Sequence, residues 1–379
     1  MLFSHISDTH LGLTQYGLEE RENDIYDAFN EAIDTSIRDH VSFVIFAGDI
    51  FHVPNPSGTA IIQMANALRR LKENSIDSFF VLGEHDISRI RSTPIPYVYH
   101  NLKFSRYIGD GIPFVHKDVF LAGFDKMRKN EITKFAEKFT ELDRVAQKHK
   151  GHKILVMHQG ISEINQFASE LSSSDLPRNF TYYAMGHLHD RVEKNFSHLG
   201  GPLVYPGSIE MTTSEGIKET QKGFYEVDIS AQEPHSSWIK LDTRQQLSVK
   251  TEFENLANTI NDVLEKIAKY TKKPIVELKI SGNEIKTEIV QTYLGRLVPH
   301  TLHCTWKITQ KVNDESSVLD ERPASIDNEL LRLAITHLGS EKIARFAIWE
   351  MLPVLAAGKI DEANQMIVEN FEQFKRAKK

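Results

Sequence analysis

Asp8 and His10 stand two residues apart at the end of Phe3-Ser4-His5-Ile6-Ser7, an apolar-leaning stretch of strand length near the start of a 379-residue chain. In an extended segment, positions i and i+2 share a side. A hard oxygen and an imidazole nitrogen then face one point, which is half of a divalent-metal site. Alone, an Asp-x-His pair is a weak signal and most often a solvated loop. Here the same residue types recur after further short apolar runs, in Gly48-Asp49-Ile50-Phe51-His52, Gly83-Glu84-His85-Asp86, His158-Gln159-Gly160 and Gly186-His187-Leu188-His189.

Carboxylates mixed with imidazoles, and no thiolate, suit manganese, iron or zinc better than magnesium or calcium. The candidate ligands Asp8, His10, Asp49, Glu84, His158, His187 and His189 outnumber what one ion needs. Two ions roughly 3.5–4 Å apart and sharing a carboxylate would use them. Such a pair polarises phosphoryl oxygens and lowers the pKa of a bound water, which is the chemistry of phosphoester hydrolysis. An imidazole that is not a ligand could then serve the leaving oxygen.

The elements that must position these residues are legible as an alternation. Helical spacing over 19–38 follows the first loop, and 43–47 is a continuous apolar run typical of a strand buried on both faces. A helix over 60–73 and a strand over 78–82 come next. Beyond them lie a helix over 131–148, strands over 153–157 and 182–185, and further strands in 203–208 and 223–229. Strand, acidic or histidine loop, and helix repeat in turn, which is α/β architecture. Sites in such sheets form at the carboxyl ends of adjacent strands.

Composition sets bounds. The length allows two or three domains. A formal net charge of −7 argues against nucleic-acid binding by bulk positive charge, though not against a local basic groove. The single cysteine, Cys304, permits no intrachain disulfide, which points to an intracellular compartment. Neither a signal-peptide pattern nor an apolar run of membrane-spanning length stands out.

The ordered set of motifs resembles the calcineurin-like metallophosphoesterase superfamily. Within it, Gly48-Asp49-Ile50-Phe51-His52, His158-Gln159-Gly160, Tyr182 through His189, and Tyr205-Pro206-Gly207-Ser208 look like the double-strand-break repair nucleases of the meiotic recombination eleven or SbcD-like family, archaeal type. The motifs cover residues 1 to about 215. The resemblance implies a four-layer α/β/β/α sandwich over 1–235, a small α+β capping domain over 236–312, a linker over 313–325 and a helical segment over 326–379 that binds a partner. It implies two divalent ions, with manganese the first choice. Asp8, His10, Asp49 and His189 would hold one ion. Asp49, Glu84, His158 and His187 would hold the other. His85 would assist the leaving group or stabilise the transition state, His52 would position His85 or the phosphate, and Asp86 would orient His85. One position departs from the family pattern, where an Asn stands in place of Glu84. A third ligand carboxylate leaves the dimetal core at +1 rather than +2, from which tighter metal retention and a less acidified water are expected.

The resemblance further implies an exonuclease and endonuclease acting on double-stranded ends and single strands, cytoplasmic and nucleoid-associated. It implies a homodimer, with an SMC-like ABC ATPase held at its coiled-coil base by the C-terminal helices. The residues alone leave room for a phosphatase or cyclic-nucleotide phosphodiesterase on the same scaffold, and for a DNA-end-bridging scaffold of weak activity. They also read helices over 256–270 and 284–297, strands over 274–280 and 301–309, and helices over 327–338, from 340 on, and over 361–374.

Overall fold

In a computed structural model, the structure describes residues 1–310 apart from 89–92, 130, 166–168, 213–214 and 284, and beyond them 341–351, 354 and 366–367. The alternation read from the sequence is present. Strands β1 (Leu2–Ile6), β2 (Phe43–Ala47) and β3 (Asp77–Val81) pair in parallel, separated by α1 (Glu19–Arg38) and α2 (Gly58–Glu73). After α3 (Tyr97–Asn101), β4 (Arg106–Tyr107) completes one edge of this sheet.

A second sheet begins with β5 (Phe114–His116) and β6 (Val119–Phe124), and α4 (Ala136–Ala146) leads to β7 (Lys153–His158). It is completed by β8 (Tyr182–Gly186), β9 (Val192–Lys194) and β10 (Leu203–Tyr205). Then β11 (Gly223–Asp228) and β12 (His235–Lys240) return to the first sheet, giving orders β12-β11-β1-β2-β3-β4 and β5-β6-β7-β8-β10-β9. The first sheet therefore runs on to Lys240, five residues past the expected division at 235.

Period-two alternation explains the layers. From β2, Phe43, Ile45 and Ala47 enter the core shared by the two sheets, with Ile154 and Val156 of β7 and Tyr182 and Ala184 of β8 opposite. The intervening Val44 and Phe46 pack under α1 and α2. On the far side Leu155, Met157, Tyr183 and Met185 pack against Phe139 and Leu142 of α4. The result is the expected α/β/β/α sandwich. Each fully buried Phe or Ile in its middle layer contributes about 1.5–3 kcal/mol.

The helix expected over 131–148 is shorter: a 3-10 turn at Ile132–Lys134 precedes the helix Ala136–Ala146. Strand β6, every residue of it buried, was not anticipated by the motif reading.

A third sheet, β13 (Gln246–Glu252), β14 (Ile275–Gly282) and β15 (His303–Gln310), is all parallel and alternates with α5 (Leu256–Ile267) and α6 (Thr287–Leu297). It has its own core around Leu247, Ile260, Leu278 and Leu297. Arg244, at its entry, pairs with Asp24 of α1, and the His303 ring stacks on Tyr16 at 4.2 Å. The chain divides into two compact units, Met1–Lys311 and Val312–Lys379. In the second, Glu341–Arg345 is helical and runs into a π-helical turn, Phe346–Met351. The linker over 313–325 and the helices expected over 327–338 and 361–374 lie outside the described residues, save 366–367.

Glu226 tests the packing of β11 against α1. Its side chain is buried, one carboxylate oxygen lacks a hydrogen-bond partner among the described residues, and burial together with nearby Asp39 pushes its pKa up to about 7. A carboxyl raised in the folded state favours folding fully only below its unfolded value. That contribution is lost as pH rises toward 7. Glu226→Gln is therefore expected to stabilise the protein by about 1–2 kcal/mol at pH 8, after discounting for solvent screening, and to change little near pH 4.5. Thermal melts of both proteins at the two pH values check this; equal differences at both would refute it.

Candidate metal centre

The loops at the carboxyl ends of β1, β2, β3, β7 and β8 converge on one place. Asp8, His10 and His189 each offer a donor atom, all within 4.8 Å of one another, and so do Glu84, His158 and His187. Asp49 lies between the two groups. Its Oδ2 is 3.3 Å from His158 Nε2 and 3.9 Å from His10 Nε2. Glu84 reaches His158 Nε2 at 3.0 Å and His187 Nδ1 at 2.9 Å, while His10 and His189 meet Nε2 to Nε2 at 3.1 Å. His52 and His85 flank His10, with ring centroids 5.5 and 4.9 Å away. The seven candidate ligands, with His52 and His85, are thus in one cluster.

The local backbone explains why these loops present their side chains so. Asp8, His10, Asp49 and His187 all have positive φ, at 52°, 44°, 49° and 101°. Non-glycine residues rarely take this region, and such strain collects at functional sites. Glycine is required beside them. A Cβ on Gly48 would lie 2.3 Å from His158 Nδ1, and one on Gly83 would lie 2.1 Å from Asp49 Oδ1.

Hydrogen bonds fix the ring faces. His158 Nδ1 donates to the Ala47 carbonyl at 2.8 Å, which leaves Nε2 turned toward the carboxylates. Thr212 Oγ1 is 2.9 Å from His189 Nδ1 and so leaves that ring's Nε2 toward Asp8 and His10. His85 Nδ1 donates to the His52 carbonyl at 2.8 Å, and the two rings stack at 5.3 Å. His52 therefore anchors His85 through its main chain.

Asp86 does not orient His85 as expected. Its carboxylate accepts from the backbone N–H groups of Ile50, Phe51 and Gly83 at 3.0–3.2 Å. It staples the loop after β2 to the loop after β3. Burial and the neighbouring Asp49 push its pKa up to about 7.

The electrostatics are those of a cation site. Burial pushes Asp8 upward. Burial opposes charge on Asp49 too, yet His158 and His10 hold it down to about 2. His158 is likewise penalised by burial, but Asp49 and Glu84 raise it well above an ordinary histidine. His10, buried with His189, His85 and His52 around it, falls to about 3, so it is neutral with a lone pair to give. The buried carboxylates Asp8 and Asp49, crowded with imidazoles and out of water, are costly without cations to gather them. The donor set fits hard-to-borderline divalent ions. By contrast His5, in the same strand as the first motif, is buried against Tyr182 and kept neutral; it is a packing residue.

A family model described as calcineurin-like phosphoesterase matches residues 1–191. The protein is 33% identical over 300 residues to the DNA double-strand break repair protein Mre11 of Thermoplasma acidophilum, across 76% of this chain and 78% of that one. It is 31% identical over 316 residues to the protein of the same name from Sulfolobus acidocaldarius, across 80% and 81%. The chain belongs to the Mre11 family of calcineurin-like phosphoesterases. Among solved structures, a dimetal phosphatase from Danio rerio aligns with 65% of this chain and 98% of its own, at 13% identity and a TM-score of 0.44.

Beyond the family's motifs, this Mre11-family centre contains residues that sequence reasoning passed over. Thr212 holds His189, and Glu215 in turn accepts from the Thr212 N–H at 2.8 Å. The buried Lys222 ammonium binds Glu215, Ser208 Oγ and the His189 carbonyl. The spacing Thr212-x-x-Glu215 is a capping-box pattern and was a usable signal. Lys126, just past β6, lies 2.9 Å from Glu170, 3.7 Å from Glu84 and 3.2 Å from His187 Nε2. The family's motifs give no sign of it.

Proposed function

We propose that this chain is a dinuclear-metal DNA nuclease that processes broken DNA ends. The observation that carries the reading is the meeting of two carboxylate–imidazole groups on the central Asp49. The name shared by the relatives, DNA double-strand break repair protein, supports DNA as the substrate. Asp8, His10, Asp49 and His189 would hold one ion, and Asp49, Glu84, His158 and His187 the other, with manganese the first choice. When bound, the ions supply Lewis-acid polarisation of a phosphodiester and a nucleophile at neutral pH. His85, anchored at Nδ1, keeps Nε2 for a proton that the leaving oxygen takes up. His52 sets the plane of that ring.

The remaining parts follow the same reading. The β13–β15 unit acts as a cap over the nuclease part, with the division between Lys240 and Gln246; the Tyr16–His303 stack and the Arg244–Asp24 pair support its placement beside the first metal loop. Segment 326–379 serves as the docking element for an SMC-like ABC ATPase. Exposed Ile62 on α2 and Val98 and Leu102 at α3 support a homodimer through these helices, which are tied by the Tyr99 hydroxyl donating to the Ile61 carbonyl.

Manganese-loaded protein is expected to cut double-stranded ends and single-stranded DNA, and to hydrolyse bis(p-nitrophenyl) phosphate faster than p-nitrophenyl phosphate. Hydrolysis of the monoester alone, with both DNA forms intact, would leave a phosphatase.

A further inference from the structure

The Lys126 ammonium lies against side chains of the metal-ligand cluster, those of Glu84 and His187. It emerges at the carboxyl end of β6, where its backbone N–H donates to the Leu82 carbonyl at 2.9 Å and ties it to the loop that carries Glu84. Its side chain is largely buried. Nζ is nearly equidistant from the two ring nitrogens of His187, at 3.3 and 3.2 Å, and lies 3.7 Å from Glu84 Oε2. On its other side is Glu170, whose Oε1 is 2.9 Å away and whose Oε2 accepts from the Gly160 N–H at 3.0 Å. Gly160 follows His158 by two residues, so Glu170 is itself fixed to the same ligand loop.

The distribution is one-sided. Glu84 and His187 have this ammonium against their side chains, whereas the ammonium beside His189, that of Lys222, meets its main-chain carbonyl. The Lys222 ammonium nearest His189 is spent on Glu215, Ser208 and the His189 carbonyl. A fixed cation within about 4 Å of a ligand carboxylate opposes a second cation there, and the burial of the Lys126 side chain weakens solvent screening on its side of the half-exposed Glu84.

We propose that Lys126 is a resident cation that weakens the ion held by Glu84, His158 and His187, making it the exchangeable member of the pair, and that Glu170 restrains it. This deepens the metal-site reading and rests on it. Glu170 draws the ammonium away from the ligands. Removing the Glu170 charge throws Lys126 wholly onto Glu84 and His187, whereas removing the Lys126 charge leaves two carboxylates for the ion.

The signs of the two substitutions are therefore opposite, which separates the proposal from simple damage to the site. Calorimetric titration of Mn2+ into the metal-stripped full chain reads this directly. Lys126→Gln is expected to tighten the weaker of two sites by about tenfold and to leave the tighter one unchanged. Glu170→Gln weakens the same site by a similar factor, the double variant returns close to the parent, and Lys126→Arg, which keeps the charge, stays close to the parent. Weaker binding in both Lys126→Gln and Glu170→Gln, or no change in Lys126→Gln, overturns the proposal. A parent protein that binds two ions while Lys126→Gln is silent refutes the role of Lys126 alone. A parent that takes up no Mn2+ refutes the metal-site reading and this inference with it.

Discussion

Replacing Asp49 by Asn is expected to cut phosphodiester hydrolysis by about 10³-fold or more, and to drop bound manganese below two ions per chain. The size follows from its position. Asp49 approaches imidazoles of both groups, His158 at 3.3 Å and His10 at 3.9 Å, more closely than Asp8 does, at 3.9 Å from His158 and 4.0 Å from His189, so it is the better-placed shared carboxylate. Losing its charge withdraws a donor from each ion at once. Charge stabilisation by such ions is worth several kcal/mol, and each 1.36 kcal/mol is a decade in rate. Asp49 Oδ1 also accepts from the His85 N–H at 2.8 Å, which the Asn carbonyl can retain. The loop shape should survive, and the defect should lie in metal content. Metal analysis beside the rate assay checks this; a variant that keeps two ions and near-parental turnover would show that Asp49 does not bridge.

Replacing His85 by Gln is expected to lower kcat on DNA by about 10²–10³-fold with both ions retained. His85 is held at Nδ1 by the His52 carbonyl and lies beside the ligand cluster. A residue that gives a proton to a poor leaving oxygen matters little when the leaving group needs none. The loss should therefore shrink sharply on bis(p-nitrophenyl) phosphate, whose leaving group departs as a stable anion. A merely structural role would lower both substrates alike. His52→Ala should cost less, because the anchoring atom is its main-chain carbonyl and survives the substitution. A larger loss in His52→Ala than in His85→Gln would reverse the assignment.

How far the sequence carried these conclusions depended on what kind of fact was needed. The convergence of these side chains was legible because each follows a short apolar run, and parallel strands bring their carboxyl ends to one edge. The helix over 19–38 and the strand over 43–47 came out at their observed limits, since a long stripe of period 3.6 and a run of buried β-branched and aromatic residues are strong signals. Strand β6 carries the same kind of apolar run but leads into none of the metal-ligand motifs, so no motif marks it or Lys126 just past its end. The charge around Glu84 therefore differs from the three carboxylates the motifs display, because the Lys126 ammonium meets one of them. Asp86 was misassigned because adjacency in sequence suggested a side-chain partner for His85, whereas the turn directs the Asp86 carboxylate at three backbone N–H groups. Backbone partners of this kind, like the His52 and Ala47 carbonyls that orient two imidazoles, have no sequence signature.

The most direct test is anomalous diffraction at the manganese edge from crystals soaked in Mn2+. Two peaks are expected, roughly 3.5–4 Å apart, one ringed by Asp8, His10 and His189, the other by Glu84, His158 and His187, with the Asp49 carboxylate between them. A single peak, or peaks that leave Asp49 and His158 without a bond to metal, would contradict the dinuclear centre on which the nuclease assignment stands.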